Sequence, residues 1–310
     1  MTEQPEPLLI PDFDPKATRR AVRRGILRTA TLVLGVLMAL VLVATLGSTL
    51  IQTRGDREQR MVQVLGTALQ IAKPAYTFDS LVCCQTEPLS MTFTGTAVPL
   101  RAHGGFGTLS RPDFTVRQNL FGRVEDLPWA ELANTTLTIA LFNMGTGLQR
   151  KADIRRVLAR LPQDMNALAV VEFEQPLAAD ALAGFARQYN ACPDKVVYES
   201  RPGSAPITWD SNMTPPPDDT ALVQMINCVD VLPDDLAAFR SWVRILQQHD
   251  EPNLRRFDLT LARLRKASAD GLAYGYVDQL VTVEKLRTII EDPRVRAVRL
   301  ADVAFELDRP

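Results

Sequence analysis

Residues 29–53, TATLVLGVLMALVLVATLGSTLIQT, decide the architecture of this chain. The stretch holds 25 residues without a charge, between Arg28 and Arg54. As a helix it would be about 37 Å long, which is enough to cross a hydrocarbon core of about 30 Å with some tilt. Unpaired backbone groups are costly in lipid, so a single segment crosses it only as a helix. We therefore predict one transmembrane helix over residues 29–53.

The charges on the two sides of this stretch differ, and the difference predicts an orientation. Residues 16–28 contain six basic residues and no acidic one, a net charge of +6. Residues 54–60 contain three arginines with Asp56 and Glu58, a net charge of +1. Because positive charge beside a membrane helix is retained in the cytoplasm, we expect residues 1–28 inside and residues 54–310 outside the cell membrane. The basic residues predicted to contact the membrane or a cytoplasmic partner are Lys16, Arg19, Arg20, Arg23, Arg24 and Arg28.

A cleaved signal peptide is the alternative interpretation of the N-terminal region. Such a peptide has an apolar region of about 7 to 15 residues close to the N-terminus, followed by a small-residue cleavage site. Here the apolar stretch is 25 residues long and begins at position 29. We therefore expect an uncleaved, single-pass membrane anchor.

The composition of the whole chain restricts its chemistry. The 310 residues include 35 basic and 36 acidic ones, a balance that does not favour nucleic-acid binding. The only two histidines, His103 and His249, are far apart in the sequence. This leaves little for a histidine-based catalytic or metal site. We predict no cofactor, no nucleic-acid partner and no small-molecule substrate.

Residues 54–72 are predicted to continue as a helix beyond the membrane. Apolar residues recur there at helical spacing and predict one buried stripe, which comprises Met61, Leu65, Ala68 and Ala72. Lys73 precedes Pro74, and a residue before proline is disfavoured in the helical region, so the helix should end there. We expect a stalk helix that packs on the domain that follows.

The rest of the region 54–150 is predicted to be β-rich. Short runs of Thr, Val, Phe and Ile, which are typical of strands, occupy residues 92–98, 115–118 and 137–142. Trp129 is expected to pack in a small core. The Gly-Thr-Gly triplet at 145–147 lacks the lysine of a phosphate loop and the third glycine of a dinucleotide site. It is therefore interpreted as a turn that leads into a helix.

Residues 151–310 are predicted to form an extracytoplasmic α/β domain. Strands are expected over residues 167–173, 195–198, 272–280 and 295–303, and helices over 178–189 and 283–291. A proline-rich loop should separate the second and third strands, together with two long helices over 234–248 and 252–269. Gly271 is the predicted C-terminal cap of the second of these helices.

Two parts of this domain have the same order of elements. One begins ALAVVEFEQPL and the other GLAYGYVDQLV, and each is predicted to continue as a turn, a helix and a strand. Leu177 and Leu182 in the first match Val281 and Leu286 in the second. A duplicated strand-helix-strand unit predicts a ferredoxin-like α/β sandwich, here with an inserted helical pair.

The cysteines all lie beyond the predicted membrane helix, where disulfides persist. They are Cys83, Cys84, Cys192 and Cys228. The adjacency of Cys83 and Cys84 disfavours an ordinary bridge between them. A bridge from Cys192 to Cys228 would close a loop of about 35 residues and contribute on the order of 3 kcal/mol, and cross-pairing of both with the adjacent pair is equally open. The spacing does not fit a zinc site, so structural disulfides are favoured over metal or redox chemistry.

The sequence contains no convincing catalytic motif. Glu172 and Glu174 lie on one face of a predicted strand, as paired catalytic carboxylates would, but a solvated sheet edge is the favoured interpretation. Ser200, Ser204 and Ser241 lack the context of a G-x-S-x-G or S-x-x-K motif. We predict that the protein is not an enzyme.

Three stretches share their pattern with a known family. They are residues 11–38, PDFDPKATRRAVRRGILRTATLVLGVLM, residues 167–177, ALAVVEFEQPL, and residues 270–303, DGLAYGYVDQLVTVEKLRTIIEDPRVRAVRLADV. The first resembles the basic segment and membrane helix of the bacterial sigma-factor regulator family of single-pass membrane proteins, which includes anti-sigma-like proteins with N-terminal and C-terminal sigma-regulator domains. The other two resemble the start and the end of that family's C-terminal domain.

The resemblance implies signal transduction from the membrane to transcription. The outer domain would sense an envelope signal, and the cytoplasmic tail would transmit it to an extracytoplasmic-function sigma factor. The chain departs from the family pattern at Gln279, where a glycine is expected, and in its tail, which has no Cys or His for a zinc motif. So short a tail favours a second membrane protein as a further partner. The alternative is a membrane-anchored envelope enzyme, or an assembly or scaffold factor.

Overall fold

The computed structural model describes residues 15–53, 57–87, 89–103, 111–125, 127, 135–147, 149–209 and 228–305. The chain divides into two compact units, Met1–Arg54 and Gly55–Pro310. The predicted core position of Trp129 and most of the proline-rich loop lie outside the described residues.

The first unit is a single helix, α1 (Pro15–Thr53), which is long and apolar enough to cross a membrane. Its large apolar side chains between positions 32 and 46 are 49–68% exposed, so the protein itself does not cover them. The hydroxyls of Thr29 and Thr45 donate to carbonyls of the preceding turn, at 3.0 Å in both cases. Such bonds satisfy polar groups that lipid does not solvate.

The second unit opens with a helix in three segments, which together we call the stalk helix. These are α2 (Arg57–Met61), a π-helical turn (Val62–Gly66) and α3 (Thr67–Ala72). The predicted apolar stripe is confirmed, because all four of its residues are at most 7% exposed. The helix ends before Lys73 and Pro74, as predicted.

The smaller sheet has three antiparallel strands in the order β1 (Tyr76–Glu87), β2 (Ser90–Pro99) and β3 (Asp113–Asn119). The strands predicted over 92–98 and 115–118 are thus confirmed. The strand predicted over 137–142 is wrong, because that stretch is a helix, α4 (Thr136–Phe142).

A cap explains the helical state of α4. The hydroxyl of Thr135 accepts a hydrogen bond of 3.1 Å from the backbone N–H of Thr138, which begins the helix. Leu137 and Leu141 then lie one turn apart, and both are buried. The β-branched residues that suggested a strand are therefore outweighed by the cap and by packing.

The larger sheet has five strands, and every neighbouring pair is antiparallel. In chain order they are β4 (Asn166–Leu177), β5 (Lys195–Glu199), β6 (Ile207–Trp209), β7 (Ala273–Thr282) and β8 (Val295–Ala304). Their order in the sheet is β6-β5-β7-β4-β8, with β4 between β7 and β8. Helix α6 (Ala179–Tyr189) joins β4 to β5, and α10 (Val283–Ile289) joins β7 to β8. Strand β6 was not predicted, because it is three residues long and lies among prolines.

The remaining helices are α5 (Lys151–Arg160), α7 (Cys228–Ile245), α8 (Glu251–Arg256) and α9 (Leu261–Asp270), with a 3-10 turn (Gln248–Asp250) ahead of α8. The single helix predicted over 252–269 is wrong, because Asp258 adopts a φ of +56° and interrupts it. The hydroxyl of Thr260 then accepts from the N–H of Arg263 and starts α9. Gly271, with a φ of +58°, ends α9 as predicted.

The cysteine pairing differs from the prediction at the adjacent pair. Cys83 and Cys84 form a disulfide with each other. The register between β1 and β2 shifts between Val82 and Gln85, so both cysteines lie at an irregularity where the strict alternation of side chains is relaxed. Cys192 is disulfide-bonded as well. The side chain of Cys228, which begins α7, lies outside the described residues, so its bridge to Cys192 stays a prediction.

One buried apolar cluster extends through the second unit. It contains Met61 and Leu65 of the stalk helix, Phe93 of the smaller sheet, and Val170 and Tyr276 of the larger sheet. Residues on both sides of position 150 therefore contribute to the same core. The stalk helix packs against α7 through a hydrogen bond from the indole of Trp242 to the carbonyl of Gln63.

Candidate functional site: a basic cleft at the stalk helix

A cleft of about 430 Å³ opens beside the stalk helix. Its walls are the first turns of that helix, the loop that follows β3, and the segment from the 3-10 turn to α8. Its polar lining includes Arg57, Arg60, Gln118, Arg123, Asp250 and Asn253. Basic side chains from the first and second walls therefore converge on one space.

Arg57 enters the cleft from the first turn of the stalk helix. Its guanidinium donates to the carbonyls of Asn119 at 2.6 Å and Leu120 at 3.2 Å, and more weakly to the side-chain oxygen of Gln118. These acceptors are neutral, and no described carboxylate forms an ion pair with Arg57. Burial lowers the pKa of Arg57 from its ordinary value, the direction expected for a desolvated positive charge. The group keeps its place through hydrogen bonds, while none of the carboxylates in the described ranges acts as its counterion.

Arg60 lies one turn further along the stalk helix and is paired. Its guanidinium lies 2.6 Å from a carboxylate oxygen of Asp250, whose side chain is 7% exposed. The same carboxylate oxygen accepts from the N–H of Gln247 at 2.7 Å, and the imidazole of His249 lies 3.4 Å from the other oxygen. Asp250 is therefore largely occupied by protein partners, and it neutralises one of the arginines.

The loop that carries Arg123 is built by a turn of defined geometry. The side-chain oxygen of Asn119 accepts from the N–H groups of Phe121 and Arg123, each at 3.0 Å. Gly122 has a φ of +77°, a conformation that other L-residues adopt only with strain. Asn253 of α8 donates to the carbonyl of Gly122 at 2.8 Å. The loop is thus fixed to α8, and it projects Phe121 and Arg123.

Arg123 completes the basic character of the cleft. Its side chain is exposed and makes no hydrogen bond or ion pair with the described residues. The described residues thus contribute three guanidinium groups and one carboxylate to the lining, a net charge of +2. The apolar lining consists of Met61, Val64, Leu65, Pro252 and Phe121. Phe121 is 86% exposed and is the most exposed large hydrophobic side chain in this lining.

The predicted site residues lie elsewhere. The six basic residues of the tail are exposed on α1, in the first unit. Cys83 is exposed on β1, with its sulfur 3.8 Å from the carbonyl of Glu58 in the stalk helix. The cleft was not predicted. The signal for it in the sequence is the group of arginines at positions 54, 57 and 60, from which only the membrane orientation is predicted.

The environment predicted for Glu172 is wrong. It is 4% exposed on β4, an interior strand of the larger sheet, instead of lying at a solvated edge, whereas Glu174 is exposed. One oxygen of Glu172 accepts from Arg299 at 3.1 Å, and the other accepts from the N–H of Gly145 at 3.0 Å. Arg296 lies 3.6 Å away. Glu172 is held in a buried ionic cluster, and the two glutamates do not share an environment.

Two interacting carboxylates, the buried Asp278 and the partly buried Asp194, lie near Cys192. Burial, and then the charge of Asp278, raises the pKa of Asp194 to about 7, while burial raises the pKa of Asp278 to about 6. The backbone and side chain of Gln279 both donate to Asp194, at 2.6 and 3.0 Å. Gln279, which replaces the glycine expected from the family pattern, therefore has a structural role. Protein donors occupy both carboxylates, so we assign the pair to structure.

Comparison with protein-family models, with curated proteins and with solved structures finds no match. Within the described ranges, no group of three or more His, Cys, Asp or Glu side chains is arranged to hold a metal ion. The site is therefore interpreted from its own geometry, which is that of a preformed, partly apolar cleft with excess positive charge.

Proposed function

We propose that this protein is a membrane-anchored regulator in which the second unit senses an envelope signal and α1 passes the result to the N-terminal tail. One observation supports the proposal above the others. The stalk helix is a wall of the cleft, and Arg57 follows the last residue of α1 by only four positions. A ligand in the cleft would therefore contact the element that continues the membrane helix along the chain.

The charges of the cleft suggest how binding would act. Without a ligand, the guanidinium groups of Arg57, Arg60 and Arg123 repel one another, and Asp250 offsets only one of them. An anion shared by all three would draw the stalk helix and the loop after β3 together. A ligand shifts a conformational equilibrium only by its difference in affinity for the two conformations. Here the conformation in which the stalk helix and the loop are drawn together would bind the anion more tightly, because the anion offsets the repulsion among the arginines.

The charge asymmetry supports a cytoplasmic tail and an extracytoplasmic second unit. The segment before the apolar stretch carries +6 and the segment after it +1, and positive charge is retained in the cytoplasm. Disulfides at Cys83, Cys84 and Cys192 fit an oxidising compartment. We propose that the protein lies in the cell membrane in this orientation.

The partner is proposed from the family resemblance. The basic tail would bind, or help to bind, an extracytoplasmic-function sigma factor, and a second membrane protein would share the task because the tail is short. The larger sheet gives further support to the resemblance. Two β-α-β units, β4-α6-β5 and β7-α10-β8, interleave in the order β5-β7-β4-β8, the arrangement expected of a ferredoxin-like sandwich with α7 to α9 inserted between the units.

Co-purification tests the proposed partner. The full-length protein would be tagged at its C-terminus and purified from native membranes, beside a variant in which an unrelated tail with the same +6 charge replaces residues 1–28. This replacement keeps the orientation signal and removes the tail sequence. We expect a sigma factor with the full-length protein and a large loss with the variant. Equal recovery would rule out binding through the tail.

A scaffold role is the second candidate, and the edge of the smaller sheet favours it. Strand β1 lies at that edge, and Val82 on it is 63% exposed. Open edge strands accept strands of other proteins. Cross-linking from position 82 to an envelope protein, with no sigma factor recovered in co-purification, would favour the scaffold over the regulator.

A further inference from the structure

We propose that the cleft binds the phosphate group of an anionic amphiphile, an inference that rests on the proposed role of the cleft as the sensory input. The cleft joins two chemical features that a single ligand of this class would satisfy. One is a cluster of guanidinium groups with a net charge of +2 after Asp250 is counted, and the other is an adjoining apolar wall.

The arginines favour phosphate among anions. A guanidinium presents its N–H donors as a planar fork that matches two phosphate oxygens at once. Arg123 commits none of these donors to a described residue. Arg60 donates through one Nη to Asp250 and through the other, at 3.5 Å, to the carbonyl of Ile245. The hydrogen bonds of Arg57 to described residues run through its two Nη atoms. A guanidinium has five N–H donors, so neither group is saturated by these bonds. Donors from three directions therefore remain for one tetrahedral anion.

The position of Arg57 and of the loop that carries Arg123 is set before any ligand arrives. Arg57 is held by the carbonyls of Asn119 and Leu120, and the loop that carries Arg123 is fixed to α8 by Asn253. A ligand therefore does not have to order these parts of the cleft. Preorganised donors lower the entropic cost of binding.

The apolar wall indicates that the ligand is more than an inorganic ion. Val64 and Leu65 line the cleft but are each only 2% exposed, so its open apolar surface comes from Phe121, which is 86% exposed, and from the exposed Pro252 of α8. An acyl or other apolar chain next to the phosphate would cover these surfaces. The phosphate could come from a soluble phosphate compound or from an anionic phospholipid headgroup, and the experiment below separates the two.

The test uses the full-length protein in nanodiscs of phosphatidylcholine. Inorganic phosphate, short-chain phosphatidylglycerol and short-chain phosphatidylcholine are each titrated by calorimetry at low and at physiological salt. We expect phosphatidylglycerol to bind, phosphatidylcholine to bind at least about tenfold more weakly, and added salt to weaken the binding. Competition by inorganic phosphate would indicate that soluble phosphate compounds reach the site as well. Binding of inorganic phosphate without binding of phosphatidylglycerol would show that the ligand is a soluble phosphate compound and would reject a phospholipid.

Three variants with the same change locate the binding. Arg57→Gln and Arg123→Gln each remove a guanidinium from the cleft, and Arg156→Gln removes one from the exposed face of α5, where it pairs with Asp153. We expect the first two to weaken binding about tenfold or more and the third to leave it unchanged. The side chain of Arg123 makes no hydrogen bond or ion pair with the described residues, so we expect Arg123→Gln to keep the fold, and its melting curve checks this.

Two results would overturn the inference. One is the absence of binding by both phosphate and phosphatidylglycerol, and the other is binding that neither cleft variant weakens. Failure of the proposed function gives a different result. If a sigma factor co-purifies but no phosphate compound binds, the proposed ligand class is rejected and the proposed regulator is kept. If Arg123→Gln weakens phosphate binding but no sigma factor is recovered, the proposed regulator is rejected and the ligand site is kept.

Discussion

The indole nitrogen of Trp242 donates a hydrogen bond of 2.7 Å to the backbone carbonyl of Gln63. Gln63 lies in the π-helical turn of the stalk helix, where the regular α-helical bonding is interrupted. Trp242 lies in α7 and is 4% exposed. The contact joins residues 179 positions apart, and it secures the stalk helix at the turn that follows Arg60.

The first prediction concerns this contact. Trp242→Phe removes the N–H donor and leaves a gap beside Trp209, whose ring lies 5.8 Å away. We expect the free energy of unfolding to fall by about 2–3 kcal/mol, from the lost hydrogen bond and the lost buried surface. Chemical unfolding of the full-length protein in detergent measures it. Ile139→Ala, at a site 51% exposed, is the control and should change stability by less than about 0.5 kcal/mol.

The buried ion pair of Glu172 and Arg299 gives the second prediction. Both side chains are 5% exposed, so Glu172→Gln would leave a buried positive charge without its partner. We expect a loss of about 3–5 kcal/mol, measured by the same unfolding experiment. Replacing both residues by methionine should restore part of it. Arg155→Ala, which breaks an exposed pair with Glu291, should cost less than about 1 kcal/mol. Similar losses in the two single variants would contradict the assignment.

The third prediction is a pH dependence from Asp194. Its pKa is raised to about 7 in the folded protein, against about 3.9 in an unfolded chain. Between these values the native state binds more protons than the unfolded state, so the free energy of unfolding falls as pH rises from about 4 to about 7. Asp278, with a pKa raised to about 6, contributes in the same direction.

Asp194→Asn tests this dependence, because asparagine resembles the protonated acid. The stability of the variant relative to the natural protein should increase between pH 5 and pH 8, as the natural protein loses the protonated form. Unfolding curves at four pH values measure the slope. Asp164→Asn changes an exposed acid on the same unit and should leave the slope unchanged. A parallel pH profile for Asp194→Asn would show that Asp194 ionises normally.

A pair of glycines gives the fourth prediction. A Cβ on Gly275 would overlap the backbone carbonyl of Val171 and lie 2.9 Å from the methyl group of Met144. Gly275→Ala should therefore cost about 3 kcal/mol, since the backbone of β4 has to move. Gly184, inside α6, has no atom within 4 Å of such a Cβ. Gly184→Ala should stabilise the protein by about 0.5–1 kcal/mol. The two melting temperatures should shift in opposite directions.

Much of the fold follows from local patterns in the sequence. The uncharged run gives α1, and the helical spacing from Met61 to Ala72 gives the buried face of the stalk helix. The runs ALAVVEF and KVVY give β4 and β5, because both consist of apolar and β-branched residues. Where a local signal was misjudged, a side-chain cap decided the outcome, as with Thr135 ahead of α4.

The cleft could not be predicted, because it depends on distant parts of the chain. Arg60 and Asp250 are 190 positions apart, and Val124 and Asn253 are 129 apart. Arg60, Asp250 and Asn253, taken alone, have the residue types of solvated surface positions. Glu172 was misjudged for the same reason, since its partner Arg299 lies 127 positions further on. Local periodicity contains no information about which charges meet after folding.

The most direct test of the regulator is the transcript profile of native cells. Profiles would be compared for cells with the natural protein, without it, with Arg123→Gln and with the control Arg156→Gln. We predict that deletion changes a defined set of promoters, that Arg123→Gln changes the same set in part, and that Arg156→Gln leaves it unchanged. No change on deletion, or equal effects of the two arginine variants, would contradict the proposal that the cleft beside the stalk helix controls transcription across the membrane.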